Sequence, residues 1–91
     1  SIMAKRRPLK KQINLICGDL FAEVISMTLY SPGVSKEAAD DIMTSILKLQ
    51  DEMLSRVSHT EPGNVKGFYK KLRMDMDAHV SEIFDQIANL N

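Results

Sequence analysis

The last third of the chain limits the fold more than any other stretch. From Asn64 onward the apolar residues Val65, Phe68, Tyr69, Leu72, Met76, Val80, Ile83, Phe84, Ile87 and Leu90 recur in steps of three and four. That spacing lines one side of an α-helix. Lys66, Lys70, Lys71 and Arg73 fill the gaps in its first half, and Asp75, Asp77, Glu82 and Asp85 those in its second. A helix with an apolar stripe along its whole length owes its stability to packing, so it needs neighbours.

The rest of the chain supplies two. A first helix is predicted from about Pro8, where a proline suits the first turn, to about Tyr30. Its apolar positions, Leu9, Ile13, Ile16, Cys17, Leu20, Phe21, Val24, Ile25, Met27 and Leu29, spread over roughly 200° of the wheel at about 100° per residue. That is wider than an ordinary amphipathic stripe. Either this helix is central or a second chain packs on it. Gly18 interrupts the pattern at a cost of about 1 kcal/mol against alanine, and a close helix crossing there is the expected reason.

Ser31-Pro32-Gly33-Val34 is a clear break, and Ser35 is a good N-cap, followed by Glu37, Asp40 and Asp41 where the helix dipole favours negative charge. Ala39, Ile42, Met43, Ile46, Leu47, Leu49, Met53, Leu54 and Val57 form the expected buried face of the second helix. Glu61-Pro62-Gly63-Asn64 ends it, with Asn64 capping the third. Short connections make consecutive helices antiparallel neighbours. The expectation is an all-α, antiparallel up-down-up three-helix bundle with helices at about 8–30, 35–59 and 64–90. Residues 1–7 read as a flexible basic arm and 8–91 as one helical domain. Ser1 and Ile2, which precede Met3, read as residues added ahead of a native start.

With 91 residues the chain holds one core of modest size. Cys17 is the only cysteine, so no internal disulfide forms and a reducing, cytoplasmic setting is expected. Its neighbours Leu15, Ile16 and Leu20 suggest a buried, inert thiol. Gly18, Asp19 and Glu23 break up the apolar runs of the first helix, and no membrane span or signal peptide is expected.

Lys plus Arg equals Asp plus Glu at 12 each, for zero net charge. That counts against nucleic-acid binding by the whole surface. Antiparallel packing nevertheless gathers every basic residue except Lys36 and Lys48 at one end. Positive side chains at helix starts oppose the macrodipole. A phosphate-binding surface of Lys5, Arg6, Arg7, Lys10, Lys11, Lys70 and Arg73 is therefore the alternative functional expectation. Base reading has no support, because Phe68 and Tyr69 lie on the core stripe and there is no Trp.

Asp75, His79 and Glu82 share one side of the third helix at metal-ligand spacing, but the Glu-x-x-His pattern of di-metal bundles is missing. A boundary histidine hydrogen-bonded to a carboxylate is the plainer expectation for His79, and helix capping for His59. No Gly-rich phosphate loop, cysteine pair or Gly-x-Ser-x-Gly turn occurs. No cofactor and no catalysis are expected. The leading expectation is a small cytosolic protein-interaction module, a homodimer through Leu9, Ile13, Phe21, Ile25 and Leu29, open to an unidentified protein partner.

Overall fold

The computed structural model describes residues 2–60 and 62–90, with side chains from residue 6 onward. Three helices follow in order: α1 (Ile2–Tyr30), α2 (Lys36–Ser58) and α3 (Val65–Ala88). No strand occurs among the described residues. The helices form an all-α three-helix bundle, a slender body with extents of 50 × 18 × 14 Å.

The helix ends follow local chemistry. Ser35 caps α2, its hydroxyl accepting from the Ala38 N–H at 3.2 Å. Asn64 caps α3 in the same way, its side-chain oxygen accepting from the Gly67 N–H at 3.2 Å. A Cβ on Gly67 would press into the Asn64 amide, so this cap orientation fits a glycine three residues on. Gly33, at φ +90°, takes the left-handed turn between α1 and α2 that only glycine adopts without penalty. At the second turn the buried Thr60 hydroxyl donates to the Val57 carbonyl at 2.6 Å, with the Tyr69 hydroxyl 3.5 Å away.

The start of α1 differs from the sequence expectation. The helix is already formed at Ile2, and Pro8 lies inside it. Residues 2–7 are thus helical rather than a loose arm, while Ser1 lies outside the described residues. The lost Pro8 N–H removes one backbone bond, to the Ala4 carbonyl. Ala4, Lys5, Arg6 and Arg7 are all good helix formers that extend the helix beyond it.

The core is one cluster. α1 contributes Leu9, Ile13, Cys17, Leu20 and Val24; α2 contributes Ala39, Ile42, Ile46, Leu49, Met53 and Val57; α3 contributes Tyr69, Leu72, Met76, Ile83 and Ile87. α1 and α2 pack along their length, and α3 lies more against α2 than against α1. The close crossing expected at Gly18 is absent, because no atom lies within 4 Å of where its Cβ would stand. Leu47 and Phe84, placed on buried faces by spacing alone, are exposed. Three slim helices bury only the centre of each stripe.

Candidate functional site

The grooves beside α3 show which flanks of α1 and α2 it covers. Between α1 and α3 the lining includes Gln12, Ile16, Asp19 and Glu23 from α1. Between α2 and α3 it includes Ser45, Lys48 and Glu52 from α2. At about 100° per residue the opposite flanks carry Asn14, Phe21 and Ile25 on α1, and Met43, Leu47, Gln50 and Leu54 on α2. The Gln50 side-chain amide donates to the Asn14 side-chain oxygen at 2.9 Å, joining these flanks near mid-length.

This side of the α1/α2 pair, away from α3, is open and largely apolar. Ile25 and Leu29 are 45% and 69% exposed, and Leu47 is 51% exposed; Leu15, also exposed, lies about 40° from Asp19, on the outer back of α1. Phe21, Met43 and Leu54 are half-buried against the core edge. The charged residues of α1 between Lys11 and Tyr30 are Asp19 and Glu23, and both line the α3 groove. The open flank of α1 thus carries no charge over about 22 Å, the rise of residues 14–29.

The interface set expected from sequence needs correction. Leu9 and Ile13 are 5% and 2% exposed and belong to the bundle's own core. Phe21, Ile25 and Leu29 remain on the open face, and Leu47 joins them. The wheel held that signal for Leu47, which lies about 115° from the middle of the α2 stripe.

The basic residues do gather toward one end, but not on one surface. Arg7 and Lys11 are exposed on α1, with Lys10 and Arg6 half-buried. The side chain of Lys5 lies outside the described residues. Arg73 lines the α1/α3 groove beside Asp77, and Lys70 is exposed on α3. Arg56 and Lys71 both engage Asp75, at 3.0 and 3.4 Å. Desolvation raises the Asp75 carboxyl, yet hydrogen bonds from Arg56 and Lys71, with their charges, outweigh it and hold the group below the usual carboxylate value.

That ion-paired role takes Asp75 out of the metal constellation. Among the described residues no group of three or more His, Cys, Asp or Glu side chains is placed to hold a metal ion. His79 and Glu82 line an open α2/α3 groove of about 280 Å³ together with Lys48 and Glu52. His79 is exposed and has no hydrogen bond among the described residues, contrary to the expected carboxylate contact. His59 sits at the C-cap of α2, its Nδ1–H donating to the Ser55 carbonyl at 2.7 Å.

Cys17 is fully buried, and burial pushes its thiol pKa up. The segment Arg6–Tyr30 is long and apolar enough to cross a membrane by length and composition, which the broken runs did not suggest. Its inner face supplies Leu9, Ile13, Cys17, Leu20 and Val24 to the core, so moving α1 into a bilayer would strip α2 of its main partner. No protein-family model, curated protein or solved structure matches the chain significantly.

Proposed function

We propose that this protein is a small non-catalytic helical interaction module that self-associates as a homodimer through the open α1/α2 face. One observation supports it above the rest: Ile25, Leu29 and Leu47 stand exposed around a charge-free flank of α1. Contiguous exposed apolar surface of this kind marks an interaction site. A bundle of 91 residues with a thin core also gains from burying more apolar area. A cytoplasmic setting belongs to this reading and rests on the single unpaired cysteine.

Phosphate binding by the basic end has less support. Its cations are divided between α1 and α3, Arg73 lies beside Asp77, and Asp75 engages two others.

The test is sedimentation equilibrium at tens of micromolar. The expected result is twice the chain mass. Replacing Ile25 and Leu29 together by serine should return the monomer mass with helix content unchanged. A wild-type chain that stays monomeric throughout that range overturns the proposal.

A further inference from the structure

The flank of α1 that faces α3 carries a second open surface, separate from the α1/α2 face. Because α3 rests more on α2 than on α1, a groove stays open between α1 and α3. Two cavities of about 220 and 330 Å³ lie along it and share Ile16. Together they run from Leu9 to Glu23 on α1 and from Leu72 to Phe84 on α3. That is about 21 Å at a 1.5 Å rise per residue, or about four helical turns.

The groove is apolar inside. Ile13, Leu20 and Met76 are buried at its base, and Ile16 and Val80 are half-buried on its walls. Phe84 stands at the end away from Leu9 and is 57% exposed. Among the described residues, only α1 and α3 line the two cavities.

The rim carries mainly one sign of charge. Asp19 and Glu23 lie one turn apart on α1, Asp77 lies on α3, and all three are exposed. None of them has an ion-pair partner among the described residues. Arg73 is the one cation of the described lining, and it sits toward the Leu9 end. Beyond it neither wall holds a Lys or Arg: α1 has none from Gln12 to Tyr30, and α3 none from Met74 to Ala88.

Two helices that rest on a third and leave a trough between them match the shape of a further helix, as in a four-helix bundle. Covering Phe84 and Val80 would supply the apolar gain, and the three carboxylates set the sign of the charge wanted beside it. We infer that the α1/α3 groove docks an amphipathic helix of another protein. Its apolar stripe lies on Ile16, Val80 and Phe84, and its flanking Lys or Arg side chains meet Asp19, Glu23 and Asp77. The inference does not rest on self-association, since the groove and the dimer face lie on different flanks of α1.

The probe is a peptide of about 18 residues, capped at both ends, with leucines spaced by three and four and lysines on both flanks of that stripe. A matched peptide carries glutamate in place of each lysine. Each is titrated into the isotope-labelled full chain and followed by amide NMR. The expected result is saturable binding of the lysine peptide, with shifts concentrated at Ile16, Asp19, Glu23, Val80 and Phe84. The glutamate peptide should bind about tenfold more weakly or not at all. Asp19→Asn with Glu23→Gln should weaken the lysine peptide about three- to tenfold, and Phe84→Ala about tenfold, both with helix content unchanged. Ile25→Ser with Leu29→Ser should leave its binding as it was. No binding of the lysine peptide, or equal binding of both peptides, overturns the inference. So do shifts centred on Ile25, Leu29 and Leu47, which would place the peptide on the other face. Shifts at Val80 and Phe84 that grow with the concentration of the chain alone would give the groove to a second copy and overturn it too. A monomeric wild type that binds the lysine peptide in the groove overturns self-association and supports this inference.

Discussion

The two sides of α1 carry similar residues and meet different fates. Leu9, Ile13, Cys17, Leu20 and Val24 are buried, while Leu15, Ile25 and Leu29 stand in solvent. Composition does not separate them. What separates them is that α2 and α3 reach only one side of the helix, and α3 lies mostly against α2. An apolar residue becomes core by having a neighbour, and three helices do not offer enough neighbours to surround one of their own.

The largest expected effect tests that contrast directly. Ile13→Ala should cost about 2–5 kcal/mol of unfolding free energy, as buried large-to-small changes do. Leu29→Ala should stay within about 0.5 kcal/mol in the monomer and act on association instead. Urea denaturation of both, at concentrations where the chain is monomeric, compares them. Equal costs would erase the distinction between the two sides.

Cys17 sharpens the buried side. Cys17→Ser should cost about 1–3 kcal/mol, by placing a hydroxyl among apolar neighbours. The native thiol should react with a disulfide reagent no faster than the chain opens. Its pKa is raised in the folded state, so its contribution to stability is present below the ordinary thiol pKa of about 8.5. That contribution is lost as pH rises through the native value. Thermal melts between neutral and alkaline pH, with Cys17→Ala as the reference, should show the wild type losing more on the alkaline side.

Ser35 belongs to neither side and serves as the control. Ser35→Ala removes the cap on α2 and should lower monomer stability by about 1 kcal/mol, leaving association at a fixed folded fraction unchanged. An association defect in this variant would mean that the open face depends on the α1–α2 turn as well as on its apolar residues.

The smallest effect concerns the covered α2/α3 side. Asp75→Asn breaks the ion pairs with Arg56 and Lys71. Its carboxyl pKa is depressed, so the stabilisation is present above the usual carboxylate value of about 3.9 and fades as pH falls through the lower native one. Acid titration of wild type and variant should converge at the acid limit and differ slightly at neutral pH, less so in high salt. Divergence growing toward acid would reverse the assignment.

Much of this was legible in the chain. Ser35 and Asn64 announce the helix starts because their side chains satisfy backbone donors only a few residues away. The period of the apolar residues announces three helices for the same local reason. Pro8 misled, since a proline fits a first turn best, yet a helix can absorb one missing bond near its end. Gly18 misled in another way: it promised a close crossing, but the bundle leaves the space over it empty. The candidate interface was half legible. Phe21, Ile25 and Leu29 could be picked out, but Leu9 and Ile13 could not be separated from them, because a wheel gives angles and not the positions of neighbouring helices.

The order of residues by itself determined the helices, their caps and their antiparallel sequence, since each depends on groups within a few positions of one another. Only the tertiary structure decided which flank of α1 faces the core, which carboxylate holds Arg56, and that Leu47 stands outside. Those outcomes depend on where α3 settles against the other two helices, a balance of packing among segments far apart in the chain.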